Sequence, residues 1–515
     1  MLRNIFFVIL IVSSTKATTQ PKIIIVGSGL SGLSAAVKLY ENGYENILIL
    51  EAENRIGGRI HTVELSDQGY VDLGAQWVHG MKNNSIYESI VGKYGFGETG
   101  FDDHYPIFLQ SDGVQLDQEK CHKLADMAMK ILFSSYDQMS EFPGSIQDYF
   151  ISSFVGQTTE MADQMLTHEM IDFFEKEMNI WNGSTTWKDL SASLHCASGH
   201  NAGTQHLTWK RDGFFTFIEF MTKQHKDILS KVLFNKQVVN IQWNQNYEYK
   251  LPMVSTSDGH KYFADHIIFT ASLGVLKDIY RTLFSPQLPK PMIRAINLMG
   301  FGIIGKIFLE FDEPFWPVND DNWVGYGFLW TEEDLRDLKG TDKEWLLDIQ
   351  VYAKLDAFPN VLESLIAGPH MKEFETLSDE QIVDDSLWLL EKFLKMSVPR
   401  PKTMRRTKWL TNPNFLGSYS YNSVNAWKFN ITSKDLAQTL YNQMNKPEIL
   451  FAGEHTDEMY SSNTHGAVNS GFRAANELIT YFRQKELEII ICEHAVNDSF
   501  TLSTANKCIQ NEESS

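Results

Sequence analysis

The chain is short of positive charge. It has 45 Lys and Arg against 65 Asp and Glu, a net charge of −20. That balance argues against a nucleic acid as partner, because a phosphate backbone is gripped by Lys and Arg. It would gather cations near the surface, although solubility alone accounts for the bulk charge. Cysteine is scarce too: Cys121, Cys196, Cys492 and Cys508. None stands in C-x-x-C spacing, so metal and redox-motif readings fall away. An even count permits two disulfides in three connectivities. A Cys492–Cys508 bridge would tie down the polar tail, and free thiols are the alternative. There is no internal repeat, no low-complexity tract and no apolar run long enough to cross a bilayer. The N-terminal run, Ile5 to Val12, is too short to span. Arg3 precedes it, small and polar residues follow, and Ala17 offers a cleavage point, so residues 1–20 read as a secretory signal. Four N-x-S/T sequons, at Asn83, Asn182, Asn430 and Asn497, agree with export. The expectation is a secreted chain with no stable membrane insertion.

What is present is a glycine fingerprint. Ile23 to Val26 is an apolar β-branched run that leads into Gly27-Ser28-Gly29-Leu30-Ser31-Gly32, a G-x-G-x-x-G. A helix-like stretch follows, then a second apolar run from Ile47 to Leu50, ending on Glu51. This spacing predicts a βαβ dinucleotide-binding unit. Gly27 turns tightly off the strand, Gly29 lets a pyrophosphate approach the backbone, and Gly32 lets the helix pack on the strand. The helix start offers unpaired N–H groups to phosphates. Glu51 accepts from ribose hydroxyls, and an acid there argues against NADP. A second glycine turn follows Ala52, with Gly57, Gly58 and Arg59. It adds a second close backbone approach and a cation for the pyrophosphate, which favours FAD over NAD.

A chain of 515 residues is too long for one compact core. Two domains around one cofactor are expected. Residues 82–204 read mainly as helices, with apolar spacing at Met127–Leu132, Met161–Glu177 and Ser191–Leu194. Val232–Trp243, Met253–Thr256 and Ala264–Thr270 read as strands, with a turn at Asp258-Gly259. Gly305 to Phe311 is a further strand, on which Lys306 shares a face with Phe308 and Glu310. A solvent-facing lysine is the ordinary reading of that pattern. The last block, Ile449–His455, Thr464–Val468 and Ser470–Tyr481, reads as a strand, a glycine turn and a second glycine turn that opens a helix.

Several stretches together resemble one family, the FAD-dependent amine oxidases, and within it the polyamine and spermine oxidase branch. They are IIIVGSGLSGLSAA, LEAENRIGGR, DLGAQWVHG, GKIFLEFDEPFWP, WLTNPNFLGSYSY, FAGEHT and THGAVNSG, and they span Pro21 to about Phe482. The resemblance implies an α/β fold: a doubly wound Rossmann-type FAD-binding domain plus an α+β substrate domain with a mixed sheet. Residues 21–80, 205–290 and 440–482 would form the first, 81–204 and 291–439 the second, and 483–515 a tail. It also implies oxidation of an amine by non-covalent FAD, hydrolysis of the imine, and reoxidation by O2 to hydrogen peroxide. Covalent flavin in related oxidases uses a cysteine near the last flavin loop, and none lies between Cys196 and Cys492.

By the same resemblance, Gly27, Gly29, Leu30, Ser31, Gly32, Glu51, Ala52, Gly58 and Arg59 hold the AMP and pyrophosphate. Gly74, Ala75, Gln76 and Trp77 lie against the flavin, and Val238 meets the adenine. Trp409 packs nearby, Glu454 meets the ribityl chain, and Ala467 and Val468 donate to the flavin pyrimidine. Lys306 matches the lysine that holds a water near flavin N5. His79 and Tyr419 match substrate contacts, Tyr419 as one wall of an aromatic slot. The other wall falls at Asn463, where relatives have an aromatic and animal spermine oxidases a small polar residue. The substrate class implied is a polyamine with O2: spermine, spermidine or an acetylated form. An L-amino-acid oxidase would need an arginine to clamp a carboxylate, and no motif supplies one. A histone demethylase conflicts with the secretory signal. A flavin-retaining binding protein leaves Lys306, His79 and Tyr419 together unexplained.

Overall fold

The computed structural model describes residues 20–66, 69–90, 93–98, 104–159, 164–197, 202–225, 227–244 and 251–497. Residues 1–19 of the expected signal, Cys508, and the side chains of Cys196, Cys492 and Asn497 lie outside what is described. Ile23–Val26 is the centre of a six-stranded sheet. Ile47–Leu50 lies on one side of it and His266–Phe269 on the other, both parallel, with Ile23 level with Ile47 and His266. Val232–Leu233 extends the sheet beyond Ile47–Leu50, and Pro447–Phe451 beyond His266–Phe269. The antiparallel Leu440–Tyr441 closes that edge. Ile23–Val26 is buried along its whole length, as a parallel strand covered on both faces must be. The strand order reverses at Ile23–Val26, so a crevice opens beyond its C-terminal end, at Gly27.

One face of this sheet carries two helices, Leu30–Glu41 and Thr464–Asn497, packed against each other. Small residues let them meet: Ser31 and Ser470 share a hydrogen bond at 3.1 Å. A Cβ on Gly471 would sit 2.3 Å from the Ser31 carbonyl. A second six-stranded sheet holds Gly305–Glu310 between Thr403–Arg406 and Phe358–Ile366. It continues antiparallel through Val351–Leu355 to Gly325–Leu329, and ends on Ile107–Gln110, which pairs parallel. This is the mixed sheet expected. The helices Gln118–Phe133 and Gln164–Asn182 pack over its Ile107–Gln110 end around Phe108, Phe150 and Phe173. Among the described residues no helix is long and apolar enough to cross a membrane.

Two sequence expectations need correction. Val232–Trp243 is two strands, not one. Val232–Leu233 joins the parallel sheet, and Val238–Gln242 joins a four-stranded sheet with Met253–Thr256, Lys261–Phe263 and Phe284–Ser285. Between them Asn235 turns the chain at φ 56°. The Asn235 and Lys236 amides bond to the Glu53 and Glu51 carbonyls, at 3.1 and 2.7 Å. The last helix is also longer than Ser470–Tyr481. It starts at Thr464 and runs through Arg483 to Asn497. The sequons separate as well. Asn83 and Asn430 are exposed, whereas Asn182 is half-buried on a cavity wall, with its Nδ2 donating to the Met178 carbonyl at 2.9 Å.

Candidate active site

A cavity of about 1160 Å³ runs from the Gly27 crevice to the helices of the second sheet. Drug-sized ligands fill roughly 300–1,000 Å³, so it has room for a dinucleotide and a substrate together. Its first half is backbone-lined. Gly27 has φ 101° and Gly58 φ 61°. A Cβ on Gly58 would lie 3.1 Å from Gly29 Cα, so the two glycine turns form a cradle that side chains would fill. Leu30, Ser31, Glu51, Ala52, Arg59 and Val238 line the same part. Gly32 does not line it. A Cβ there would meet the Gly27 carbonyl at 2.1 Å, so its work is to seat the helix on the strand.

Glu51 is held by its neighbours. Oε2 accepts from the Ser28 amide and hydroxyl, both at 2.7 Å, and Oε1 from the Glu53 amide at 2.9 Å. Each oxygen keeps lone-pair capacity towards the cavity. Arg59 is anchored on the wall, donating to the Ser418 carbonyl at 2.6 Å and to Glu454 at 2.8 Å. Burial pushes the Glu454 carboxyl up. Arg59, His455 and the Ser420 hydroxyl outweigh it, and the net direction is down, so Glu454 is ionised. Trp409 lines the cavity and donates from Nε1 to the Leu73 carbonyl at 3.0 Å.

The helix start is placed differently from expectation. The Ala467 amide bonds to the Asn463 carbonyl at 3.1 Å. Val468 is buried in the core between sheet and helix, not on the cavity wall. An α-helix leaves its first N–H groups without intrahelical partners. Here the first turn is Thr464 to Gly466, one turn before the residues expected. Thr464, His465 and Ala467 line the cavity.

Beyond the cradle, Gly74, Ala75, Gln76 and Trp77 line the wall and lead to Lys306. Lys306 does not face solvent. It is 4% exposed, and its ammonium donates to the Asp72 carbonyl at 3.0 Å and to Gln76 Oε1. It also lies 5.2 Å from the Trp77 ring and 4.0 Å from Glu363 Oε1. Burial lowers its pKa, against the attraction of Glu363 and Asp72. Gln76 Nε2 in turn donates to Glu363 Oε2 at 2.9 Å.

Aromatic rings continue from there. Trp77 is 5.4 Å from His206, His206 is 5.9 Å from Trp181, and Trp181 is 5.1 Å from Phe133. His79 stands beside this row, 5.8 Å from His206. Its Nδ1 meets the Gln205 carbonyl at 2.7 Å. A carbonyl only accepts, so Nδ1 carries the hydrogen, and Nε2 of a neutral ring is an acceptor. Tyr419 lines the cavity with its hydroxyl tied to the Ile180 carbonyl at 2.8 Å. Burial raises its pKa, so the ring stays neutral. Asn463 precedes the last helix on the same cavity, donating to the Ser461 carbonyl at 3.1 Å. At the far end the lining includes the carboxylates of Glu177 and Asp126.

Lys306, His79, Tyr419 and Asn463 thus share one cavity with the dinucleotide cradle. Sequence reasoning missed Asp72, Glu177, His206, Glu363 and His465. Two of them carried a signal. Glu363 is a lone carboxylate in the apolar run Val361-Leu362-Glu363-Ser364-Leu365-Ile366, and buried lone charges are rare. His465 sits within THGAV itself.

A glycine-walled dinucleotide cradle that opens onto a buried lysine suits a flavin-dependent oxidoreductase. The sequence profile of the flavin containing amine oxidoreductases matches residues 30–479. A peroxisomal N(1)-acetyl-spermine/spermidine oxidase of Bos taurus is 30% identical over 503 residues, covering 89% of this chain and 95% of the relative. Polyamine oxidase 1 of Zea mays is 26% identical, covering 95% of each. In fold, a redesigned putrescine oxidase superposes with a TM-score of 0.60 at 17% identity, over 90% of this chain and 99% of the other. The chain belongs to the flavin containing amine oxidoreductase family. It is a flavin amine oxidase, and its cofactor is FAD.

Proposed function

We propose that the protein is a secreted oxidase of polyamines. It would act on a secondary amine of spermine, spermidine or an acetylated form, with O2 as acceptor. The observation that carries this reading is the row of rings from Lys306 and Trp77 through His206 to Trp181, with carboxylates beyond it. Trp181 Nε1 donates to Glu177 Oε1 at 2.7 Å, and Gln350 Nε2 to Glu177 Oε2. Asp126 accepts from the Tyr105 hydroxyl at 3.0 Å. Aromatic faces take both alkyl chains and cations. A chain of methylenes ending in an ammonium group therefore fits ring walls that end in carboxylates. Among the described residues the partners of Lys306 are Asp72, Gln76, Trp77 and Glu363, which offer a substrate carboxylate no arginine clamp.

Bound FAD supplies the two-electron acceptor for the carbon next to the reacting nitrogen. The rest is the work of this chain. Trp77 and Tyr419 present apolar ring surface on which that carbon can be aligned. His79 Nε2 accepts from a substrate N–H. Lys306 Nζ is fixed by two acceptors on the cavity wall, and its third hydrogen-bonding position can hold a water. His465, held neutral because burial pushes its pKa to about 4, adds no repelling charge.

Export rests on the residue 1–20 segment and on the exposed sequons Asn83 and Asn430. Non-covalent attachment rests on the absence of cysteine between Cys196 and Cys492. The test is to express the full chain in a secreting cell and recover it from the medium. Acid should release the flavin from the precipitate, and spermine or N1-acetylspermine should yield peroxide. Flavin left in the pellet refutes non-covalent binding. Retention inside the cell refutes secretion. Peroxide from an L-amino acid and none from any polyamine refutes the substrate class.

A further inference from the structure

The wall behind Lys306 is one residue thick. Gln76, Trp77 and Glu363 line the reaction cavity and also a second, smaller cleft on the other side. Asp72, Trp209 and Lys354 line that cleft, and exposed Tyr70, Lys210 and Asp356 stand at its rim. Its volume is about 40 Å³, room for about three water molecules at 10–15 Å³ each. Glu363 is 3% exposed, and its Oε1 has no hydrogen-bond partner among the described residues. A buried carboxylate needs a partner or a proton. The nearest cation is Lys306 Nζ, at 4.0 Å.

Substrate chemistry makes this arrangement useful. A polyamine enters as ammonium, and the reacting nitrogen must shed a proton before its neighbouring carbon can be oxidised. The substrate itself fills the main cavity, so the proton needs another way out. We propose that Glu363 is the proton-holding partner of Lys306, and that the cleft behind it exchanges this proton with solvent on the side away from the substrate. The step balances. The Lys306 Nζ–H bond breaks and a Glu363 Oε1–H bond forms, so ammonium and carboxylate become amine and carboxylic acid with no change in net charge. A cleft water then takes the proton as hydronium and restores the carboxylate. The neutral Lys306 amine in turn takes the substrate's proton: a substrate N–H bond breaks and the Nζ–H bond re-forms, so the substrate ammonium becomes a neutral amine and the pair regains its starting charges. A gap of 4.0 Å closes by a side-chain shift of about 1 Å, to ordinary hydrogen-bond length.

Burial pushes Glu363 up and Lys306 down, so the two affinities approach each other. Lys306 and Gln76 oppose the rise at Glu363, and Asp356 adds to it. The other charged groups facing Glu363 are Asp72 and Lys354, with Arg405 on the same sheet face beyond Phe308. Glu363 acts through Lys306 and is a positioning residue in this scheme, which rests on the reading of Lys306 as a site lysine.

The experiment compares the holoenzyme with Glu363→Gln, Glu363→Asp and Ala357→Leu, the last a filler for the half-buried alanine of the cleft. FAD content and KM for spermine should stay within about twofold of the parent. In Glu363→Gln, kcat at pH 7 should fall about tenfold and the limb of its pH profile should move by at least one unit. Glu363→Asp should restore most of the rate. Ala357→Leu should slow kcat and raise its solvent isotope effect. A Glu363→Gln profile superimposable on the parent overturns the proposal, and so does an Ala357→Leu rate equal to the parent's. Should Glu363→Gln not fold, the rates of the Asp and Leu variants decide the question in the same way. A second readout needs no turnover. Urea midpoints of the parent, Lys306→Met, Glu363→Gln and the double variant should show a pH-dependent coupling between the two sites. If no polyamine is oxidised, the proposed function fails, while this coupling still decides whether the two residues share a proton.

Discussion

Removing the Lys306 ammonium tests the buried site at its centre. Lys306→Met keeps the chain length and loses the bond to the Asp72 carbonyl, the bond to Gln76 and the charge 4.0 Å from Glu363. A hydrogen bond from a charged group contributes about 1.5–3 kcal/mol. Breaking a buried ion pair by removing one partner costs about 3–5 kcal/mol. Two terms offset this: the ammonium no longer has to be buried, and Glu363 can neutralise itself by taking a proton. The variant should therefore be only about 1–2 kcal/mol less stable than the parent at pH 5. The deficit should then grow with pH. Burial holds the folded Glu363 pKa above its unfolded value, and loss of Lys306 removes the main opposing charge. The folded state then binds more protons than the unfolded one, so unfolding free energy falls as pH rises. The fall starts near the unfolded value of about 4.3 and ends at the folded pKa, at about 1.4 kcal/mol per unit. Urea unfolding at pH 5, 6, 7 and 8 measures it, and adding Glu363→Gln should flatten the slope. A deficit identical at all four pH values would show that Glu363 does not depend on Lys306.

Three further outcomes are expected. Gly58→Val places a branched side chain at φ 61° and 3.1 Å from Gly29 Cα, so the purified protein should carry much less FAD at unchanged expression, read from its absorbance near 450 nm. Asp72, raised to about 6 by burial against the pull of Thr62, Lys306 and the Phe214 amide, should make the protein lose stability between about pH 4 and pH 6. The loss is at most about 3 kcal/mol, and Asp72→Asn should abolish that slope in a denaturation series. His79→Ala should lower kcat/KM for spermine about tenfold without loss of FAD, and activity should climb from neutral to mildly alkaline pH as the reacting nitrogen, near 10.4 when free, sheds its proton. Steady-state kinetics across pH on spermine and N1-acetylspermine check both, and unchanged kcat/KM for the two substrates would remove His79 from the site.

The glycine cradle was legible because its parts are local. Gly27, Gly29, Gly32 and Glu51 follow one another within a strand, a turn and a strand, where spacing dictates geometry. Lys306 was different. Period-2 alternation places it opposite Ile307, and such a face ordinarily meets solvent. The strand instead lies between two neighbours with both faces covered, and every residue from Gly305 to Glu310 is buried. Burial on both faces is a tertiary fact that no alternation pattern records. Val232–Trp243 misled for the opposite reason. Its apolar residues suit one strand, and only the turn at Asn235 sends its two halves to different sheets. Glu363, His206 and Glu177 reach the cavity from segments far apart in the chain, so no motif joins them. The last helix starts at Thr464, inside the expected glycine turn, and continues past Arg483.

Whether the cavity from Lys306 to Glu177 oxidises a polyamine is decided by anaerobic mixing of the purified yellow protein with spermine, followed at 450 nm, and then admission of oxygen. The flavin should bleach within the enzyme's turnover time, its colour should return with oxygen, and one peroxide should appear per amine cleaved. A flavin that stays yellow with spermine, spermidine and N1-acetylspermine alike would contradict the polyamine reading.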